Sequence, residues 1–203
     1  MAPLLLLAQR RMTSSTNGMF VVTYGPIGVP EGKTAEEYEA GEAVRREKVV
    51  ASEPGCMMYQ LVKNPKSGEY MVLELYKDHD ALDTHFKNMG AKGAIPLEKI
   101  KYDTSPLKIF PVVGGYLHEG EMGIGNVISL PVAEGKGPAL EAAITPALGV
   151  YDANEPDTGC YLLCKRPDES EYCFVELFKD KAAGALRHHL ALIGPFRTTL
   201  PSL

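Results

Sequence analysis

The sequence lacks the features that mark several large classes of protein. It has no tryptophan. Its net charge is -5 and it has no clustered basic run, so a nucleic-acid partner, which needs a basic footprint, is not expected. No apolar stretch is long enough to cross a bilayer as a helix, and we expect no membrane partner. The four cysteines include no C-x2-C pair, which disfavours a zinc site. They fall in predicted strands, and this favours free buried thiols in a reducing, cytoplasmic compartment.

Residues 1–18 differ in composition from the rest of the chain. Arg10 and Arg11 follow an apolar run, hydroxyl residues come next, and the first acidic residue of the chain is Glu31. A flexible tail and a mitochondrial presequence both fit this composition. A mitochondrial location therefore stays open beside the cytoplasmic one.

A pattern of strand, turn, strand and helix occurs twice in the chain. The matching segments are Gly55-Cys56 with Gly159-Cys160, Tyr70-x3-Glu-Leu-x-Lys-Asp78 with Tyr172-x3-Glu-Leu-x-Lys-Asp180, and Ala81-Leu82-x2-His85 with Ala185-Leu186-x2-His189. A period of this length is the size of a small domain. The sequence therefore predicts a duplicated domain, with repeat 1 at residues 19–120 and repeat 2 at residues 121–203.

Repeat 1 has room for the six elements of a ferredoxin-like fold. β-Branched and aromatic residues predict a strand from Met19 to Tyr24, and a capping box at Thr34 starts a helix that runs to about Ser52. The two strands of the repeated pattern follow, then a helix capped by Asp78 and a last strand over 107–117. The order β-α-β-β-α-β is the ferredoxin-like arrangement.

Repeat 2 is the shorter copy. It opens with a strand near Asn126 and a helix from about Ala139 to Leu148, but the sequence stops at Leu203 without a counterpart of the last strand. A missing strand leaves an unpaired edge, which must be covered. A homodimer is one expectation that follows.

Alternation along the strands predicts which side chains share a face of each sheet. One face, expected to pack under the helices, carries Met57, Tyr59, Leu61, Met71, Leu73 and Leu75. The other face mixes aromatic rings and carboxylates with apolar groups: Met58, Gln60, Tyr70, Val72, Glu74 and Tyr76 in repeat 1, and Cys160, Leu162, Cys164, Tyr172, Phe174, Glu176 and Phe178 in repeat 2. In water that face would be a large apolar patch. We therefore expect the two sheets to press together around a pocket for a small hydrophobic molecule.

Three motifs of the chain resemble the antibiotic biosynthesis monooxygenase (ABM) domain of the dimeric α/β-barrel superfamily. They are Gly-Cys-x-x-Tyr in a strand, Glu-x-(aromatic)-x-Asp at a strand end, and Ala-Leu-x-x-His on a helix. The resemblance implies an α+β fold in which two ferredoxin-like sheets pair into a barrel, here within one chain. It also implies an oxygenase of aromatic, polyketide-like or quinol substrates that needs no cofactor. Haem-degrading relatives ligate iron through a histidine further along the second helix; residues 87–92 have none, so haem is not expected.

His85 and Glu74 are the candidate catalytic residues. An imidazole titrates near neutral pH and suits a general base, and a buried carboxyl suits proton transfer. Substrate contacts are predicted for Met58, Gln60, Tyr70, Tyr76, Tyr172, Phe174, Glu176, Phe178 and His189. The structural alternative is a histidine on the apolar side of a helix and a carboxylate at a barrel rim. Tyr76 and Phe178 also stand where the family commonly has tryptophan.

Three functions remain open from the sequence. The favoured one is a cofactor-independent monooxygenase. The alternatives are a non-oxidative cyclase or isomerase on the same scaffold, and a non-catalytic small-molecule-binding or stress-associated protein. The fold alone does not distinguish among these functions, because function depends on the residues of the site.

Overall fold

A computed structural model describes residues 18–118, 122–168 and 171–185. In chain order its elements are β1 (Phe20–Ile27), α1 (Ala35–Ser52), β2 (Cys56–Lys63), β3 (Tyr70–Tyr76), α2 (His79–Asn88), a 3-10 turn (Leu97–Lys99), β4 (Leu107–Leu117), β5 (Ile124–Pro131), α3 (Gly137–Asn154), β6 (Thr158–Lys165) and β7 (Glu171–Phe178). The expectations for residues 1–17 and for His189 lie outside the described residues. None of the helices in the described ranges is long and apolar enough to span a membrane.

The chain divides into two compact units. The first unit holds residues 18–112 and 165–167, and the second holds the described residues of 113–164 and 168–185. The division falls inside β4. The boundary at residue 120 that the repeats imply stays a prediction.

The first unit has the strand order of a ferredoxin-like fold. β1 pairs antiparallel with β3 on one side and with β4 on the other, and β2 pairs antiparallel with β3. The resulting order is β2-β3-β1-β4. It is the arrangement that the β-α-β-β-α-β sequence of elements predicts for this part of the chain.

Short-range hydrogen bonds fix the starts of both helices in the first unit. The Thr34 side chain accepts from the Glu37 N–H and the Glu37 carboxylate accepts from the Thr34 N–H, so the predicted capping box is confirmed. The Asp78 carboxylate accepts from the Ala81 N–H at the start of α2. The cap predicted at Asp78 is therefore confirmed as well.

The prediction of which strand positions share a face is wrong. Across the β2–β3 hairpin Tyr59 lies opposite Glu74, and Lys63 lies opposite Tyr70. Directly opposed residues of an antiparallel pair point to the same face, so Tyr59 shares its face with Glu74 and not with Leu73. The turn of a hairpin sets its register, and a slip of one residue moves every side chain of a strand to the other face.

The corrected register divides the predicted pocket residues of the first unit between two faces. Tyr59, Val72 and Tyr76 pack on the helix side, in one core cluster with Val49 of α1 and Leu82 of α2. Glu74 occupies the same face of β3 by alternation. Met58 and Gln60 lie opposite Leu75 and Leu73, on the face turned away from those helices.

In the second unit the prediction of which β6 residues share a face with those of β7 is also wrong, again by one residue. Its strand order is β4-β6-β7-β5, and β5 pairs antiparallel with β7. The core cluster against α3 contains Leu140, Ile144, Leu148, Tyr161, Leu163 and Tyr172, with Phe174 packed on it. Tyr172, Phe174, Glu176 and Phe178 therefore share a face with Tyr161 and Leu163. The expected partners Cys160, Leu162 and Cys164 alternate with those residues and point the other way.

Candidate active site

Four polar side chains meet inside the first unit, between its sheet and its helices. Glu53 directly follows the last residue of α1, Glu74 and Tyr76 lie on β3, and His85 lies on α2. Each is almost fully buried, with 6% of Glu53, 7% of Glu74, 0% of Tyr76 and 6% of His85 exposed. Burying ionisable groups is costly unless they are paired. We call these four residues the acid–base cluster.

The His85 imidazole lies between the two carboxyl groups of the cluster. Its Nδ1 is 2.8 Å from Oε2 of Glu53, which is hydrogen-bonding distance. Its Nε2 is 3.8 Å from Oε2 of Glu74, which is too far for a hydrogen bond. One ring nitrogen is therefore held in place, and the other faces a carboxyl group that it does not bond.

Tyr76 completes the cluster on the sheet side. Its hydroxyl donates to Oε2 of Glu74 at 2.8 Å, and its ring centroid lies 5.2 Å from that of His85. Both contacts are possible because alternate residues of a strand share a face. Tyr76 thus helps to fix the carboxyl group of Glu74 beside the imidazole.

Burial favours the protonated form of the groups on β3. Desolvation raises the pKa of the Glu74 carboxyl, although the nearby His85 and the hydrogen bond from Tyr76 act against it. Desolvation and the charge of Glu74 likewise raise the pKa of the Tyr76 hydroxyl. A carboxyl that holds its proton to higher pH than a free glutamic acid is suited to proton transfer.

A tight turn brings Glu53 to His85. The Cys56 N–H donates to the Glu53 carbonyl at 2.9 Å, so the chain reverses directly after α1. A Cβ on Gly55 would lie 2.4 Å from the Cβ of Ala81, and glycine therefore allows this turn to pack against the first residues of α2. The carboxylate at the end of α1 then reaches the imidazole on α2.

A second polar contact adjoins the cluster on the same face of the sheet. The Tyr59 hydroxyl donates to Oε2 of Glu42 on α1 at 3.1 Å, and the Arg45 guanidinium lies 3.3 Å from Oε1 of Glu42. Tyr59 is the cross-strand neighbour of Glu74. Buried polar groups thus continue from His85 along the sheet toward Arg45, which is itself half exposed.

The structure brings three of the predicted site residues of the first unit together and separates the others. His85, Glu74 and Tyr76 belong to the acid–base cluster. Tyr70 lies at the far end of β3, where its hydroxyl donates to Glu39 at 2.6 Å. Met58 and Gln60 lie on the opposite face of the sheet, as described above.

The predicted residues of the second unit have contacts of their own. The Tyr172 hydroxyl donates to Oε1 of Glu141 at 2.6 Å, and the Phe174 ring stacks on Tyr161 with centroids 5.2 Å apart. Asn126 donates to Oε2 of Glu176 at 3.3 Å. Phe178 is fully buried.

Glu53 is the cluster member that the sequence reasoning missed. A signal for it exists, because Glu-Pro recurs at Glu155-Pro156 just before the second pair of strands. Glu155 is also buried, and it accepts a hydrogen bond from the Thr158 hydroxyl at 3.0 Å. A carboxylate that recurs at the end of a helix and is buried both times merits attention as a site residue.

The strand order and the helix-covered face define the first unit as a ferredoxin-like α+β domain. Residues 21–96 match the model of the antibiotic biosynthesis monooxygenase family. The resemblance that the motifs predict is therefore confirmed over these residues. None of the curated proteins compared with the chain matches it.

Solved structures share the fold over most of the chain. A candidate monooxygenase from Lactobacillus acidophilus NCFM has a TM-score of 0.61 at 15% identity, over 85% of this chain and 80% of its own. A candidate monooxygenase from Fusobacterium nucleatum has a TM-score of 0.57 at 13% identity, over 86% and 84%. An uncharacterised ABM-related ferredoxin-fold protein from Listeria monocytogenes has a TM-score of 0.53 at 9% identity, over 89% and 80%. At these identities the likeness establishes the fold alone.

Proposed function

We propose that the first unit is a monooxygenase that oxidises a small hydrophobic aromatic, polyketide-like or quinol molecule without a cofactor. The ABM match at residues 21–96 supports the oxygenase class. The placement of His85 between Glu53 and Glu74 is the observation that carries the proposal. In this arrangement Glu53 holds Nδ1 of His85, while Nε2 faces Glu74 and can act as the base.

Proton removal by His85 is the first step of the proposed reaction. Nε2 takes a proton from an acidic C–H or O–H group of the substrate, and the electron-rich anion reacts with dioxygen. For a methylene group between unsaturated carbons the overall change is CH2 + O2 to C=O + H2O. The substrate supplies all four electrons, so no external reductant is needed. The C–O bond forms as a peroxide, and the peroxide oxygen takes back the proton from the imidazolium of His85. His85 then removes the second C–H proton while the O–O bond breaks, and protonated Glu74 gives its proton to the departing hydroxide, which leaves as water. Transfer of the proton from His85 to Glu74 restores both groups.

The surroundings of the cluster favour an apolar substrate. Val72, Tyr76 and Leu82 pack beside it, with Phe86 and Leu97 partly buried against the same core. Apolar walls with a few convergent polar groups are typical of small-ligand sites. Because all four members of the cluster are buried, a substrate enters only when neighbouring side chains move.

The predicted duplication, including the pairing of two sheets into a barrel, stays part of this proposal. Recurring contacts support the duplication. α1 and α3 each have 18 residues, and Tyr70 bonds Glu39 just as Tyr172 bonds Glu141, with the same sequence separation of 31 and the same distance of 2.6 Å. Two copies of one domain would explain both observations.

Oxygen uptake tests the proposed reaction. We expect consumption of dioxygen, with an oxygenated product by mass spectrometry, for a member of a panel of quinols and polycyclic ketones that carry an acidic methylene. His85→Gln should lower turnover by about 10²- to 10⁴-fold, the usual contribution of a general base. His79→Gln is the matched control, because His79 is exposed on the same helix.

Three results would count against the proposal. Full turnover by a folded His85→Gln protein would remove His85 as the base. Turnover that persists without oxygen would favour the cyclase or isomerase. A ligand that raises the melting temperature while no product forms would favour a non-catalytic binding protein.

A further inference from the structure

We propose that Glu53 is a positioning residue, which fixes His85 in the tautomer that leaves Nε2 free to accept a proton, and that Asn88 sets the orientation of Glu53. The catalytic consequence rests on the proposed function. The tautomer itself does not, and it is measured without a substrate.

One carboxylate holds two residues of α2 through its two oxygens. Oε2 of Glu53 is 2.8 Å from Nδ1 of His85, and Oε1 accepts from Nδ2 of Asn88 at 3.0 Å. Residues three apart on a helix lie on the same face, so His85 and Asn88 meet Glu53 together. The Glu53 N–H also donates to the Val49 carbonyl at 2.8 Å, which anchors the residue at the end of α1.

The chemistry of the carboxylate decides the tautomer. An ionised carboxylate only accepts hydrogen bonds, so the proton of a neutral imidazole must lie on Nδ1. Nε2 then has a lone pair, and its distance of 3.8 Å from Glu74 leaves that lone pair without a bond to this carboxyl. The base of the proposed reaction is therefore prepared before a substrate arrives.

Asn88 makes the effect of Glu53→Gln predictable. Because Asn88 donates to Glu53, the oxygen of the substituted amide should turn toward Asn88 and its NH2 group toward Nδ1 of His85. Nδ1 must then accept, the proton moves to Nε2, and the base is lost. In the double variant Glu53→Gln/Asn88→Asp, the new carboxylate accepts from the amide NH2 group. The amide oxygen then faces Nδ1 again and restores the original tautomer.

Nitrogen-15 NMR of the ring nitrogens of His85 tests the inference on the full chain. We expect a protonated Nδ1 and an unprotonated Nε2 in the wild type, the reverse in Glu53→Gln, and recovery in the double variant. A wild-type protein with its proton on Nε2 would overturn the role of Glu53 and needs no variant to fold. An unchanged tautomer in Glu53→Gln would overturn the orienting role of Asn88.

Steady-state kinetics of the same variants separates this inference from the proposed function. With an active substrate, Glu53→Gln should lower kcat by about 10²- to 10⁴-fold with little change in KM, since only the proton acceptor is lost. The double variant should recover part of that loss. If no substrate is turned over, the proposed function fails while the NMR result still decides whether Glu53 positions His85.

Discussion

The hydroxyl of Tyr76 donates to Oε2 of Glu74, which lies 2.8 Å away and two residues earlier on the same strand. In the second unit the residue two positions after Glu176 is Phe178, which has no hydroxyl. Glu176 accepts instead from Asn126 at 3.3 Å. Each buried carboxyl group thus has a donor, supplied from the same strand in one unit and from the neighbouring strand in the other.

Tyr76→Phe should lower the free energy of unfolding by about 1–3 kcal/mol, because it takes a donor away from a buried carboxyl group. Urea denaturation measures the change. Tyr24→Phe is the control, since Tyr24 is 42% exposed and a surface change of this kind is worth less than about 0.5 kcal/mol. Equal stability of Tyr76→Phe and the wild type would mean that the hydrogen bond does not stabilise the fold.

Glu74→Gln should change how stability depends on pH. Burial raises the pKa of Glu74 in the folded state above its ordinary value of 4.5, so above that pH the folded protein holds a proton that the unfolded chain has lost. The wild type therefore loses stability as pH rises from 4.5 through the folded pKa. The amide does not ionise and escapes this loss.

The measurement is the unfolding free energy of both proteins from about pH 4 to about pH 8. We expect the stability of Glu74→Gln relative to the wild type to increase with pH and then to level off. Glu53 and His85 face Glu74, so the difference between the two proteins reports the Glu74 carboxyl together with its electrostatic coupling to these two groups. A pH-independent difference would show that the pKa of Glu74 is the same in the folded and unfolded states.

The cysteines should resist alkylation in the native protein. Burial and the charges of Glu74 and Glu53 raise the pKa of Cys56 to about 12, which leaves about one thiolate in 10⁴ at pH 8. Burial also raises the pKa of Cys160 and Cys164. All four cysteines are free and buried.

Mass spectrometry after brief treatment with iodoacetamide at pH 8 checks this expectation. The native protein should carry almost no label, and the urea-unfolded protein should carry four. Rapid labelling of Cys56 in the native state would place it in an opening of the structure and would contradict the burial of the acid–base cluster next to it.

The elements of the first unit were predictable because local chemistry sets them. The capping box at Thr34 and the cap at Asp78 each need only residues within three positions, and alternation of residue types marks the strands. The ABM motifs also contain His85 and Glu74, which are both predicted as catalytic residues. The predicted faces, however, put Glu74 on the side of the sheet away from the helices, and the two residues meet because that prediction is wrong.

The failed predictions depend on contacts between distant residues. The register of the hairpin decides whether Glu74 and Tyr59 share a face. A shift of that register by one residue moves Glu74 to the opposite face from Tyr59. Glu53 enters the site only because Gly55 lets a turn approach α2. The sequence predicts that α3 ends near Leu148, but the helix continues to Asn154, and Leu140, Ile144 and Leu148 hold it against the sheet.

The motif alignment of Gly55-Cys56 with Gly159-Cys160 also failed, by two residues. The Cys56 N–H donates to the Glu53 carbonyl, and the corresponding bond in the second unit runs from the Thr158 N–H to the Glu155 carbonyl. Thr158 therefore occupies the turn position of Cys56. The recurring Glu-Pro pairs at Glu53 and Glu155 have the same offset as these hydrogen bonds, whereas the Gly-Cys pairs are two residues further apart.

Two glycine substitutions should have opposite effects on stability. Gly115 of β4 has φ +137°, and a Cβ there would lie 2.1 Å from the Tyr161 carbonyl oxygen. Gly115→Ala should therefore lower the free energy of unfolding by at least about 1–3 kcal/mol. Gly41 lies within α1 with open space around it, and Gly41→Ala should raise that energy by about 0.5–1 kcal/mol. Both changes add one methyl group, so opposite effects on stability would show that the β4 backbone lies close to β6 at Gly115. If thermal unfolding gave a stabilised Gly115→Ala protein, β4 and β6 would not pack as closely as described, and the second unit would need another strand arrangement.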